Sequence, residues 1–95
     1  MREYELALII HPDLDENATD EVLERIQGWI DEADGSVDEI DSWGKRKLAY
    51  PIQSQKNGQY FFLNITIAPS FVAELERNLR FLEPVMRFMT TSLDE

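Results

Sequence analysis

Two stretches of this chain alternate apolar and polar residues, and two others repeat apolar residues every three or four positions. In residues 2–10, Tyr4, Leu6, Leu8 and Ile10 share one face, the period of two that marks a strand. The unbroken apolar run from Leu6 to Ile10 suits a central strand, and His11-Pro12-Asp13 ends it because proline cannot donate to the ladder. Asp15-Glu16-Asn17 then supplies an N-cap and an acidic first turn. Ala18, Val22, Ile26, Trp29, Ile30 and Ala33 follow at helical spacing, the stripe of an amphipathic helix. Gly28 within it costs about 1 kcal/mol against alanine and suggests a close backbone approach. Asp34-Gly35 stops the helix, with Gly35 suited to the left-handed position after it.

From Ser36 to about Tyr50 the chain is extended, but Val37, Ile40, Trp43, Leu48 and Tyr50 do not keep one parity. A bulge at Gly44 accounts for the change, and Pro51 makes this an edge strand. Lys56-Asn57-Gly58 carries a hairpin-turn signal. From Gln59 to Ala68, Phe61, Leu63, Ile65 and Ile67 form a core face, and Tyr60 and Phe62 lie on the other. Pro69-Ser70 opens a second helix with a buried stripe of Val72, Leu75, Leu79 and Leu82, which Glu83-Pro84 ends. Val85 to Ser92 forms a last short strand, and Asp94 and Glu95 fall at a frayed end.

The order β-α-β-β-α-β, with right-handed crossovers, builds a four-stranded antiparallel sheet with both helices on one face. This is the α+β, ferredoxin-like architecture, expected to span residues 1–95 as a single domain, as a chain of 95 residues allows. The second and last strands fall at its edges. The open sheet face would present Tyr60 and Phe62, large groups that rarely lie bare on a monomer. Many functions share this topology, so function must be argued from sites.

Charge is uneven. The chain carries 19 acidic and nine basic residues, a net charge of −10. Residues 1–43 hold 14 of the acids and only Arg2 and Arg25 as bases. The remainder is slightly basic, with Lys45, Arg46 and Lys47 consecutive and Arg77, Arg80 and Arg87 further on. A net anion repels RNA at long range, and a short cationic patch acts only within a Debye length of about 8–10 Å. Lysines on an edge strand also guard it against aggregation, so the strip by itself supports either use. No apolar run approaches the roughly 20 residues of a membrane span. The acidic start, Met1-Arg2-Glu3-Tyr4-Glu5, is unlike a secretory signal. The expected setting is the cytoplasm.

Enzyme readings find little support. The sole histidine, His11, sits at a strand end beside Pro12, and cysteine is absent, so neither a zinc set nor a thiol nucleophile can be assembled. Asp13 and Asp15 start like a calcium loop, but its glycine and closing glutamate are missing. No glycine-rich phosphate loop occurs. An acylphosphatase-like enzyme of this topology would need an arginine near an anion loop after the first strand, where this chain is acidic. An RNA-recognition motif would carry a basic residue before Gly58, where Asn57 stands. No cofactor, metal or catalytic residue is expected.

Met1-Arg2-Glu3-Tyr4-Glu5 with His11-Pro12-Asp13-Leu14, the segment Gly44-Lys45-Arg46-Lys47-Leu48-Ala49-Tyr50-Pro51-Ile52, Gly58-Gln59-Tyr60, and Leu79-Arg80-Phe81 with Val85-Met86-Arg87 together resemble the bacterial small-subunit ribosomal protein S6 family. The second of these resembles the family signature G-x-R-x-L-A-Y-x-I. The resemblance implies a non-catalytic protein that binds the central domain of 16S ribosomal RNA as a heterodimer with ribosomal protein S18, and is a monomer when isolated. It places Arg2, Tyr4, Arg80 and Arg87 on the RNA side; Lys45, Arg46 and Lys47 are added to them, with the protein partner as the alternative contact for that edge. Trp43, Leu48 and Tyr50 are expected on the partner side. Leu82 and Met86 stand where some relatives carry arginine, and residues 90–95 lack the basic or long acidic tail of many. A basic partner would offset the acidic field. The competing reading is a small-molecule-binding regulatory module of the same topology, which would run as a homodimer on gel filtration.

Overall fold

The computed structural model describes residues 1–93; the expected frayed end at Asp94 and Glu95 lies outside them. The elements are β1 (Arg2–Ile10), α1 (Glu16–Glu32), β2 (Ser36–Ile52), β3 (Gln55–Ile67), α2 (Val72–Arg80) and β4 (Val85–Ser92). The strands form one antiparallel sheet in the order β2-β3-β1-β4. This is the ferredoxin-like arrangement, with β2 and β4 at the edges.

Alternation in the sheet feeds a single core. Leu6 stands opposite Leu63 and Thr90, and Leu8 opposite Phe61 and Phe88. Ile26 and Ile30 of α1 and Leu75 and Leu79 of α2 join Leu6, Leu8 and Leu63 in one buried cluster, so both helices cover the same sheet face. Burying each such side chain contributes about 1.5–3 kcal/mol. Asp15 caps α1 as its sequence suggests, accepting from the Ala18 N–H at 2.8 Å.

Several local expectations are corrected. The residue in the left-handed region after α1 is Asp34, at φ 61°. The Gly35 N–H donates to Ile30 O at 2.9 Å and the Asp34 N–H to Asp31 O at 3.0 Å, the paired bonds of a Schellman motif. Gly35 is required for a different reason: a Cβ there would lie 2.6 Å from Thr66 O. Gly28 has no close neighbour. The β2–β3 turn falls at Gln53 and Ser54, both at positive φ, between the paired Ile52 and Gln55. Lys56-Asn57-Gly58 is therefore strand, because Gly58 lets β3 pass the Ile9 side chain, which would meet an added Cβ at 2.4 Å. The second helix begins after a 3-10 turn at Pro69–Phe71 and ends at Arg80. Leu82 lies beyond it and reaches the core from the following turn.

Candidate nucleic-acid interface

The signature segment is shaped by a bulge. The β2–β3 register shifts between Ser42 and Gly44, and Gly44 takes φ 72°, so Trp43 is the extra residue. Its ring packs on Phe62 with centroids 4.8 Å apart, and its indole N–H donates to Asp41 Oδ2 at 2.9 Å. The Arg46 guanidinium stands 5.5 Å from the Trp43 ring centroid, and Arg46 Nε donates to Trp43 O at 3.1 Å. Arg46 is thereby folded back over the aromatic pair instead of ranging freely. Tyr60 and Phe62 are half-buried, not bare.

The distal hairpin is anchored at several points. Arg46 pairs with Gly58, flanked by Lys45 opposite Gln59 and Lys47 opposite Asn57. Leu48, expected to meet a partner, is 7% exposed and stays close to Gly58, so it supports the hairpin from within. Trp43 and Tyr50 are half exposed. The Tyr50 hydroxyl accepts a hydrogen bond from Arg87 Nη1 of β4, and the Arg87 guanidinium stands 6.0 Å from the Tyr50 ring centroid. Arg87 lies opposite Ile9, the residue whose side chain faces Gly58. The register thus gathers Arg46 and Arg87, far apart in sequence, at one end of the open sheet face, with Lys45 and Lys47 at the alternate parity.

The remaining expected interface residues divide. Arg80 is exposed in the last turn of α2, whose chain returns to β4 beside Ile10 at that same end. Arg2 lies at the opposite end, opposite Ile67. Tyr4, expected on the RNA side, is 9% exposed and belongs to the core cluster; its parity on β1 turns the ring inward, so the ring is not a stacking surface. Two further residues carry no sequence signal of their role. Gln59 Nε2 donates to His11 O, Leu14 O and Thr19 Oγ1, tying the β1–α1 loop to the sheet. Phe81, one apolar residue among several at a helix end, is 80% exposed.

Acids hold the other half of the open face. Glu5, Glu39 and Asp41 line a hollow of about 110 Å³ with Phe62 and Asn64. Beyond them, Asp38 accepts from Thr66 Oγ1 at 2.6 Å and Ser36 Oγ at 2.7 Å. These bonds, that of Thr66 first, hold its carboxyl below the ordinary 3.8 against a small opposing desolvation. A lowered folded pKa contributes stability above the unfolded value that is lost as pH falls through the folded one. Asp38→Asn should therefore narrow its stability deficit relative to the parent as pH falls from 7 to 3, measured by denaturant titration at each pH.

Among the described residues no group of three or more His, Cys, Asp or Glu could hold a metal ion, and no helix is long and apolar enough to cross a membrane. A hollow of about 660 Å³ lies between α1 and the α2–β4 turn. Glu21, Glu24 and Arg25 line it together with Val22 and Leu82. The buried polar residue among those described is Thr19, which already accepts from Gln59.

The model of the family described as ribosomal protein S6 matches residues 3–92. The small ribosomal subunit protein bS6 of Clostridium novyi is 44% identical over 92 residues, covering 97% of each chain. That of Caldanaerobacter subterraneus is 39% identical over 95 residues, covering all of both. The crystal structure of 30S ribosomal protein S6 from Thermotoga maritima is similar at a TM-score of 0.89 and 29% identity, over 96% of this chain and 86% of that one.

Proposed function

From the premise that the chain belongs to the ribosomal protein S6 family, and is a structural protein of the small ribosomal subunit, we propose that it binds the central domain of 16S ribosomal RNA as a heterodimer with ribosomal protein S18 and is monomeric alone. In bacteria the small subunit is cytoplasmic. The hydrogen bond from Arg87 to Tyr50 carries the proposal, because it ties the hairpin that bears Arg46 to the Arg87 end of β4; Arg80 stands at the same end, in the helix layer. Arg46, Lys45, Lys47, Arg80 and Arg87 supply phosphate contacts there, and Arg2 supplies one from the far end. Trp43 and Tyr50 offer half-exposed aromatic surface to the partner, with Leu48 holding the hairpin beneath them.

Electrostatics explains why a partner is needed. A net charge of −10 repels an RNA polyanion beyond the reach of a local strip. A basic subunit on the acidic half of the sheet face removes that repulsion. Titrating a 16S central-domain fragment should show weak binding by the isolated chain and at least roughly tenfold tighter binding with S18 present. Equal affinity with and without S18 would refute the paired mode of binding.

A further inference from the structure

At 80% exposure, Phe81 shows more surface than any other large apolar side chain of the described residues. That exposure is built into the turn. The Phe81 N–H donates to Asn78 O at 3.2 Å, the Leu82 N–H to Leu79 O at 3.1 Å, and the Val85 N–H to Leu82 O at 2.9 Å. These bonds fix both flanks, and Leu82 occupies the adjoining core position at 8% exposure. Phe81 cannot turn inward without displacing Leu82.

A lone exposed phenylalanine is common on protein surfaces; the neighbours of this one are informative. Arg77 and Arg80 lie in the last turn of the same helix. Arg25 of α1 shares a hollow of about 200 Å³ with Phe81, Asn78 and Trp29. Arg25 thus shares a hollow with the ring, and Arg77 and Arg80 stand in the helical turn that precedes it; Glu21 and Glu24 line the neighbouring hollow with Arg25 and Leu82. The next acid along the chain, Glu83, lines a separate hollow with His11 and Asp13. Guanidinium groups beside a rigid, outward ring suit a nucleotide, because the ring stacks on a base while the cations meet its flanking phosphates. An apolar protein surface would leave those cations desolvated and unpaired.

We propose that Phe81 is a stacking platform for one unpaired nucleobase, with Arg77 and Arg80 meeting the adjoining phosphates. This rests on the RNA-binding reading above and assigns it a residue and a mode of contact. The test uses the full chain with S18 and the central-domain RNA fragment, comparing the parent with Phe81→Ala, Phe81→Leu and Phe81→Trp across a salt series. Phe81→Ala and Phe81→Leu should weaken RNA binding by about five- to a hundredfold. Their log–log salt slopes should match the parent, since every phosphate is still met by its cation. Phe81→Trp should bind within about twofold of the parent, as a π face is retained. Thermal midpoints should not move, because the side chain is exposed.

Binding by Phe81→Leu equal to the parent would overturn the proposal in favour of simple apolar cover. Binding by Phe81→Ala equal to the parent would remove the ring from the interface altogether. A loss appearing already in S18 binding without RNA would place Phe81 against protein and overturn the proposal likewise. If the parent pair fails to bind the fragment, the RNA-binding reading itself fails and takes this inference with it; a binding parent with an unresponsive Phe81 series defeats the inference alone.

Discussion

Replacing Arg80 and Arg87 together by alanine should flatten the salt dependence of RNA assembly by about two units of log–log slope, one for each phosphate no longer neutralised. Between 50 and 200 mM salt that amounts to about a fifteenfold difference in how far the affinity falls. Filter binding of the S18 pair to the RNA fragment, repeated across salt concentrations, measures it directly. Arg80 is exposed in the last turn of α2, where its charge complements the helix dipole. Arg87 also holds Tyr50, so its replacement both deletes a cation and loosens the hairpin. Tyr50→Phe separates the two: it keeps the ring beneath the guanidinium and deletes the hydroxyl. If Arg87 acts through phosphate, Tyr50→Phe leaves the slope intact. A parent-like slope in the double arginine variant would remove both residues from the interface.

Gly35→Ala should be among the most damaging single-methyl changes in the chain, costing about 1–3 kcal/mol of stability through overpacking. The new Cβ would fall 2.6 Å from Thr66 O, 2.8 Å from Ile67 Cγ2 and 3.0 Å from Ile30 Cγ2. The first neighbour is backbone of a central part of the sheet and cannot rotate aside. The adjoining position should respond in the opposite sense. Asp34 sits at φ 61°, a region disfavoured for side-chain-bearing residues, so Asp34→Gly should be neutral or stabilising within about 1 kcal/mol. Urea denaturation of both variants decides this. A harmless Gly35→Ala with a damaging Asp34→Gly would reverse the assignment of roles.

That pair shows where sequence periodicity stops being informative. The element order and the core faces of β1 and β3 were legible because a period of two over nine or more residues has few structural alternatives. The role of a glycine was not. Asp34-Gly35 announces a helix stop, but whether Gly35 is needed for its dihedral angle or for its missing Cβ depends on Thr66, across the fold. Lys56-Asn57-Gly58 likewise carries the chemistry of a turn, yet Gly58 is spent on clearance past Ile9, and the turn falls on Gln53 and Ser54. At the candidate interface the cations could be identified from the chain, but not their neighbourhood. The contact of Arg87 with Tyr50 follows from how β4 registers on β1 and from where the hairpin leads β2. Tyr4, expected on the RNA side, has its ring committed to the core by its parity on β1.

The sheet order also sets a timetable for biosynthesis. β1 is made first but lies between β3 and β4, both encoded later. One of its backbone edges finds hydrogen-bond partners only once residues 59–67 have been polymerised, and the other only once synthesis has passed residues 85–92. Until then the Leu6–Ile10 run is an unsatisfied edge on a nascent chain, the kind of surface that recruits the wrong strand. Glu3 and Glu5, against the single Arg2, leave that strand with a net negative charge that discourages pairing between neighbouring copies.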